Sequence, residues 1–223
     1  MGCLSKDENG VFLNDVHSGL NKTKVMKVVQ PKNEKEVIQW VKRAKNKNLA
    51  LSISGKKHAM GGQQFGEDTL HINMTKMNDV LSFDKNLGVI SVESGICWDQ
   101  LITYILKNQN PIKWGITQKQ TGADDITLGG SLSVNAHGRG LIFGPLIQDV
   151  ILFKMVNESG ALLNVSRTEN SELFNLAIGG YGLFGVITSV DLKLSERKKL
   201  KRNVTVLRVN ELDKQFEKSI KNG

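Results

Sequence analysis

The feature that most constrains the fold is a glycine-rich stretch, Gly180-Tyr-Gly-Leu-Phe-Gly185, within "LFNLAIGGYGLFGVITSVDLKL". It matches G-x-G-x-x-G, the Rossmann fingerprint, in which a strand precedes the glycines and the helix after them receives a pyrophosphate. Here the order is reversed, because residues 173–178 have helical apolar spacing and residues 186–190 are strand-like. A Rossmann site is therefore disfavoured, and the glycines must serve another fold.

The composition predicts a globular chain without a membrane span. Of the 223 residues, 39% are hydrophobic, and no apolar run approaches the ~20 residues that a spanning helix needs. Lys6 stands where a myristoylation motif has Ser or Thr, so the first residues are expected to be a short, unmodified leader. Only Cys3 and Cys97 are present, without a C-x-x-C pattern, so no disulfide framework or metal site is expected and a cytoplasmic location is predicted.

The net charge of +8 leaves nucleic acid, a membrane surface or an anionic cofactor as candidate partners. The lysines are scattered and aromatic residues make up 6%, which disfavours a nucleic-acid surface. The one basic run, residues 197–202, is interpreted as a solvated segment between two elements. No nucleic-acid partner is therefore predicted.

The first part of the chain has the pattern of a βαβ unit. Residues 25–29, 49–53 and 70–74 are apolar runs typical of strands. Asn33, with Glu36 three residues later, is expected to cap a helix between the first two runs. Strand, helix and strand within about 30 residues form such a unit.

The second part predicts a strand at 89–93, a helix around Leu101, a hairpin of 151–156 and 161–165, and a strand at 186–194. A final helix is expected after a cap at Asn210. The fold class is therefore predicted to be α+β with two subdomains. The predicted boundaries are an N-terminal extension (1–20), a body (21–197, with subdomains 21–76 and 77–197) and the start of a further domain (198–223).

Residues 54–62, "SGKKHAMGG", follow the second strand. Glycine lets a backbone turn several N–H groups toward one anion, and Lys56 and Lys57 add positive charge, so a diphosphate would suit this loop. A plain surface loop with a bystander His58 is the alternative, and this stretch alone does not separate the two.

Two further glycine-rich blocks have the same ambiguity. Residues 121–138, "TGADDITLGGSLSVNAHG", would let a large planar group approach the backbone. The alternative is a tightly packed glycine helix with His137 bonded to a backbone carbonyl. The third block is the opening stretch, a helix-to-strand turn. Three such blocks at the ends of elements suggest the walls of one long slot.

The segments "SISGKKHAMGGQQFG", "GITQKQTGADDITLGGSLSVNAHGRGL" and "SELFNLAIGGYGLFGVITSVDL" resemble the FAD-binding domain of the vanillyl-alcohol oxidase/p-cresol methylhydroxylase family, nearest to its alditol and aldonolactone oxidases. The resemblance covers about residues 25–194 and keeps the order of the blocks. It implies a two-subdomain fold, with a small βαβ-containing subdomain before a larger mixed sheet with helices. It also implies that the dinucleotide is FAD.

The resemblance implies roles for specific residues. The loop from Ile53 to Ala59 would hold the FAD pyrophosphate with its backbone amides, and Ile187 would hold the adenosine end by its backbone. The full set of implied cofactor-binding residues is Ile53, Ser54, Gly55, Lys56, Lys57, His58, Ala59, Thr121, Gly122, Thr127, Gly130, Ser131, Asn135, His137, Gly138, Gly185 and Ile187.

The resemblance also implies a covalent bond from His58 to the 8α-methyl carbon of the flavin. In such relatives the histidine of a G-x-x-H loop is often joined to this carbon, and Gly55-Lys-Lys-His58 matches that loop. A neutral imidazole can make this attack at neutral pH. No cysteine lies between residues 115 and 130, where bicovalent relatives place a second attachment, so a single link is expected.

Two functions remain open at this point. The chain is either the FAD-binding part of an oxidoreductase acting on the CH–OH group of a sugar-like alcohol or lactone, or a flavin-binding module without oxidase activity of its own. The family carries a second, substrate-binding domain, which only residues 201–223 could begin. The catalytic base and the substrate are therefore not assigned.

Overall fold

The computed structural model describes residues 10–199 and 201–221. The leader expected at the start, including Cys3, lies outside these ranges, and so does Leu200 of the basic run. Across the described ranges, no helix is both long and apolar enough to cross a membrane.

An antiparallel ribbon opens the described chain. It pairs β1 (Val11–Leu13) with β2 (Thr23–Val25). Met26 interrupts the chain before β3 (Lys27–Val29), which joins a different sheet. The strand predicted at 25–29 is therefore confirmed only for residues 27–29, since Val25 pairs with Val11 and residues 27–29 pair in the other sheet.

A parallel sheet follows, with strand order β3-β5-β4, where β4 is Leu51–Ser54 and β5 is Leu70–Asn73. The predicted helix is present as α1 (Glu34–Asn46). Asn33 caps it, because its side chain accepts a hydrogen bond from the N–H of Glu36 at 3.0 Å. The βαβ prediction is confirmed, with the third strand inserted between the first two.

The larger sheet is antiparallel, with strand order β10-β9-β11-β7-β6. Its strands and the neighbouring elements are β6 (Val80–Asp84), β7 (Val89–Glu93), α2 (Trp98–Lys107), β8 (Trp114–Gly115), α3 (Leu128–Ser133), β9 (Val150–Val156), β10 (Leu162–Ser166), α4 (Ser171–Ala177), β11 (Val186–Lys193) and β12 (Ser195–Glu196). Strand β6 and the short β8–β12 pair were not predicted. The reversed order at the opening glycines, α4 before and β11 after, is confirmed.

Two hydrophobic cores hold these layers together. In one core, α2, α3 and α4 pack against the larger sheet. In the other, α1 packs against the parallel sheet and also contacts Val156 and Val186 of the larger sheet. The α+β class with a parallel and an antiparallel sheet is thus confirmed, and α1 belongs to a core shared by both sheets.

The last described segment has no buried side chain. It contains a 3-10 turn at Val209–Glu211 and the helix α5 (Leu212–Lys221). Asn210 lies inside the turn and is not the N-cap that the sequence predicted. The carboxylate of Glu211 accepts the N–H of Arg208 at 3.2 Å, which starts the turn earlier.

Candidate cofactor-binding site

The three glycine-rich segments meet around one cavity of about 330 Å³, which we call the slot. Its walls come from the loop after β4, from α3 and from the turn between α4 and β11. The predicted residues that line it are Ile53, Ser54, Gly55, Lys56, Lys57, His58, Ala59, Thr127, Gly130, Ser131, Gly185 and Ile187. The sequence therefore identified segments that are far apart in the chain and adjacent in space.

The remaining predicted residues do not line the slot. Thr121 and Gly122 are exposed in a bend. Asn135 uses its side-chain oxygen to accept the N–H of Ile147 at 3.1 Å. His137 is exposed, and its Nδ1 lies 2.9 Å from the carbonyl oxygen of Gly138, a neighbour in the same set. Their contact with a cofactor stays a prediction.

Gly55 brings the first wall against the second. A Cβ added at this position would collide with Oγ1 of Thr127, so only glycine allows the loop to pass so close. Thr127 caps α3 by accepting the N–H of Gly130 at 3.2 Å. The close approach of these two segments sets the width of the slot.

The loop after β4 presents free backbone donors. The amide N–H groups of Lys56, Lys57, His58 and Ala59 donate to no other described residue. Lys57 has φ +62°, a left-handed conformation that re-aims successive amides. A run of unpaired amides with positive side chains is suited to an anion such as a diphosphate.

Several hydroxyls in the slot are already bonded within the protein. Oγ of Ser54 lies 2.8 Å from Nε2 of His71, and Oγ of Ser131 accepts the indole N–H of Trp98 at 2.9 Å. These two residues therefore offer the slot mainly backbone groups.

His71 was not singled out from the sequence. It is fully buried in β5, where Ser52 Oγ and Ser54 Oγ lie 2.8 Å from its two ring nitrogens. Burial, and then the charge of Lys57, lowers the pKa of His71 to about 4. The imidazole is thus neutral near neutral pH and joins β4 to β5.

Lys56 and Asp125 form an ion pair at the rim. Nζ of Lys56 lies 2.9 Å from Oδ1 of Asp125, and both side chains are partly exposed. The hydrogen bond with Asp125 raises the pKa of Lys56, and the same bond lowers the pKa of Asp125. Lys56 therefore brings little uncompensated charge to the slot, although the sequence predicted that Lys56 and Lys57 both add positive charge.

The two ring nitrogens of His58 have different partners. Nε2 lies 2.5 Å from the backbone oxygen of Asp125, and Nδ1 lies 2.8 Å from Nε2 of His17. A carbonyl oxygen can only accept, so Nε2 of His58 carries a hydrogen. In the neutral ring the lone pair is then on Nδ1, which makes Nδ1 the nucleophilic atom.

The turn after α4 depends on two glycines. Gly185 has φ +146°, and an added Cβ would lie 2.5 Å from the backbone oxygen of Val156 on β9. Gly182 has φ +79°, and its nearest neighbour would be Cδ1 of Ile53 at 3.7 Å. Gly185 is thus required by strand packing, whereas Gly182 faces space beside the slot.

Gln64 is a slot residue that sequence reasoning missed. Its Nε2 donates to the carbonyl of Ala59 at 3.0 Å, which fixes the orientation of the amide. Its buried Oε1 has no hydrogen-bond partner in the described part of the chain. No motif marked it, because a glutamine in a loop carries no distinctive pattern.

These observations coincide with a known family. The sequence model of a family described as "FAD binding domain" matches residues 26–166. The chain belongs to this FAD-binding domain family. The resemblance to the vanillyl-alcohol oxidase/p-cresol methylhydroxylase flavoproteins is confirmed, and so is FAD as the cofactor.

Curated relatives of this FAD-binding domain include the mitochondrial L-galactono-1,4-lactone dehydrogenase of Arabidopsis thaliana, 28% identical over 90% of this chain and 32% of the relative. Cytokinin dehydrogenase 2 of Arabidopsis thaliana is 30% identical over 77% of the chain and 34% of the relative. L-gulonolactone oxidase of Mus musculus is 29% identical over 74% and 36%. The chain thus spans about a third of the length of these relatives.

Among solved structures, an alkyldihydroxyacetonephosphate synthase matches with a TM-score of 0.68 and 21% identity. The match covers 76% of this chain and 31% of the synthase. At this identity the likeness shows the shared fold.

The residues of the slot fit FAD. The unpaired amides of residues 56–59 suit its diphosphate. The apolar walls, which include Ile53, Phe184 and Ile187, suit its planar rings. The buried Oε1 of Gln64 has no donor among the described residues, and FAD carries several hydroxyl and N–H groups.

Proposed function

We propose that this chain is the FAD-binding part of a flavin-dependent oxidoreductase that oxidises a CH–OH group of a sugar-like alcohol or lactone. The observation that carries the proposal is the slot, in which Lys57, apolar walls and the amides of residues 56–59 converge, these amides being unpaired in the described part of the chain. Relatives named as lactone dehydrogenase and lactone oxidase, at 28% and 29% identity, support the choice of substrate class.

Each wall has a proposed task. The backbone of residues 53–59 would bind the diphosphate, with Lys57 adding charge at the rim. Ile187 would hold the adenosine end through its backbone, and the glycines of α3 would let the cofactor lie against the chain. When bound, FAD supplies a two-electron acceptor that takes a hydride from substrate and passes electrons to oxygen or another acceptor.

His58 is proposed to anchor the cofactor covalently through Nδ1. The new N–C bond would replace one C–H bond of the flavin 8α-methyl group. One proton leaves this carbon and one leaves the imidazole. The two electrons would go to molecular oxygen, which would be reduced to hydrogen peroxide. The carbonyl of Asp125 would orient the ring while Nδ1 attacks, until the proton on Nε2 leaves.

Substrate choice and proton abstraction are proposed to belong to a second domain, which residues 198–223 would begin. The described residues of this segment have no buried side chain, and α5 exposes Leu212, Phe216 and Ile220 along one face. The boundaries 1–20, 21–197 and 198–223 belong to this proposal.

A second candidate is a flavin-binding module that has no oxidase activity alone. It is supported by the chain's span of about a third of its relatives. Both candidates require bound FAD, so only substrate oxidation by the FAD-loaded chain distinguishes them.

The test loads the chain with FAD and adds a polyol or an aldonolactone without oxygen. Loss of visible flavin absorbance, followed by peroxide when oxygen is admitted, supports the oxidoreductase acting alone. Stable absorbance with every substrate supports the module. The same assay on the Gly182→Val variant controls for free FAD, because that variant is expected to bind none.

A further inference from the structure

The loop of residues 14–21 lies outside the matched domain and is attached to the FAD loop. The backbone N–H of Val16 donates to the carbonyl of Lys57 at 3.1 Å. The side-chain amide of Asn21 donates to the carbonyl of Met60 at 2.6 Å. Two hydrogen bonds therefore fix this N-terminal loop along the edge of the segment proposed to bind diphosphate.

Asp15 gives this loop its shape. Its carboxylate accepts the N–H groups of His17 at 3.0 Å and of Ser18 at 2.6 Å, and also the side-chain amide of Asn21 at 2.8 Å. These bonds, that of Asn21 first, hold the pKa of Asp15 well below its ordinary value. A charged Asp15 therefore places His17 at a defined position over His58.

His17 contacts the proposed nucleophile directly. Its Nε2 lies 2.8 Å from Nδ1 of His58, and the ring centroids are 4.8 Å apart with a 55° tilt. When the His58 ring is neutral its lone pair is on Nδ1, and Nε2 of His17 is then the donor. Both ring nitrogens of His58 are thereby engaged, one by His17 and the other by the carbonyl of Asp125.

We propose that His17 is a positioning residue that holds the His58 imidazole in the wall of the slot and caps its Nδ1 lone pair until a flavin replaces it. A lone pair engaged by an N–H donor is a weaker nucleophile than a free one. The His58 of the FAD-free chain is therefore shielded from other electrophiles. The inference rests on the proposed function, in which His58 bonds to the flavin.

The test measures how fast His58 reacts with diethyl pyrocarbonate in the FAD-free protein. This reagent transfers an ethoxycarbonyl group to an unprotonated imidazole nitrogen, and peptide mass spectrometry reports each histidine separately. His137 is the internal reference, because it is exposed and bonded only to the carbonyl of Gly138 in the described structure. The ratio of labelling at His58 to labelling at His137 is the quantity compared.

The wild type is compared with two variants of His17. His17→Phe keeps a ring beside His58 and removes the donor, and we expect the ratio to rise about five- to tenfold, the worth of one hydrogen bond. His17→Gln retains an N–H donor, and we expect it to restore a ratio near that of the wild type. If His17→Phe does not fold, His17→Ala takes its place.

An unchanged ratio in His17→Phe or His17→Ala would overturn the proposal. Equal increases in the Phe and Gln variants would overturn it too, because a purely structural loss would not distinguish a donor from a ring. The labelling uses no FAD. A chain that takes up no FAD would therefore contradict the proposed function and leave this measurement valid.

Discussion

His58 carries the most specific chemistry of the account. Its Nε2 faces a backbone carbonyl, which can only accept, so in the neutral ring the lone pair is on Nδ1. We expect denaturing mass spectrometry of the FAD-loaded wild type to show a mass increase of one FAD less two hydrogen atoms. His58→Ala should show the apoprotein mass, because no other nucleophile was predicted in this loop.

The matched control is His137→Ala, because His137 belongs to another glycine-rich block but does not itself line the slot. This variant should keep the added mass. Apoprotein mass alone in a flavin-replete wild-type preparation would reduce His58 to a non-covalent neighbour.

The two lysines of the FAD loop should differ. Lys57 is not paired with an acid in the described structure, so Lys57→Gln should weaken FAD binding by about 1–2 kcal/mol, with a smaller loss at high salt. Lys56 is paired with Asp125. The neutral double variant Lys56→Gln/Asp125→Asn should therefore change the FAD affinity little.

Calorimetric titration of both variants measures this difference. Equal losses, or no loss in Lys57→Gln, would show that the backbone amides alone bind the diphosphate.

The candidate site was predictable from the sequence only where a local pattern marks it. The glycine-rich blocks near the ends of predicted elements marked Gly55, Gly130 and Gly185 as site residues. His17, Gln64 and His71 left no such signal. His17 and His58 are 41 residues apart, and tertiary packing alone brings them together.

At the scale of elements, the turn between α4 and β11 contains one glycine packed against a strand, Gly185, and one that faces open space, Gly182. Gly185→Val should destabilise the fold by about 3 kcal/mol or more, because its Cβ meets the backbone of Val156 and its φ is positive. Gly182→Val should cost about 1–2 kcal/mol in stability, because its Cβ has room. Its branched side chain should nevertheless fill space beside Ile53 and prevent FAD binding.

Chemical denaturation and FAD titration together check this prediction. Wild-type affinity in Gly182→Val would mean that the turn does not shape the site. Equal stability losses in the two variants would contradict the assigned difference in packing.

The parallel sheet should have a pH dependence set by His71. Its pKa falls from 6.5 to about 4 on folding, so the unfolded chain binds the proton first as the pH is lowered. The contribution of His71 to the free energy of unfolding is therefore complete above about pH 6.5 and decreases toward pH 4, by up to about 3 kcal/mol. His71→Gln preserves hydrogen-bonding groups and cannot titrate.

Chemical denaturation at a series of pH values gives the free energy of unfolding, and its slope against pH is compared between pH 6.5 and 4. The slope should be shallower in His71→Gln than in the wild type, and the exposed-site control His137→Gln should retain the wild-type slope. Identical slopes in all three proteins would contradict the role of His71.

Periodic elements were predictable, and short or edge strands were not. The apolar stripe of α1 and the β-branched run of β11 have clear periods, so both were predicted. β6 is an edge strand whose five residues are all partly or fully exposed, so it shows no apolar alternation. β8 and β12 have two residues each, too few for any period.

At the scale of the whole molecule, two sheets and a shared core hold three distant glycine-rich segments around one slot. The net charge of +8 is consistent with an anionic cofactor. The cytoplasmic location expected from the two cysteines stays a prediction. Substrate oxidation is a property of the longer proteins to which this domain is similar and is proposed for this one.

The central claim is that FAD binds in the slot, and titration of the flavin-free chain with FAD tests it most directly. We expect saturable uptake of one FAD per chain, monitored by visible absorbance and by quenching of flavin fluorescence. Uptake should be absent in Gly182→Val, with circular dichroism showing a retained fold. A folded wild-type chain that takes up no FAD would contradict the account.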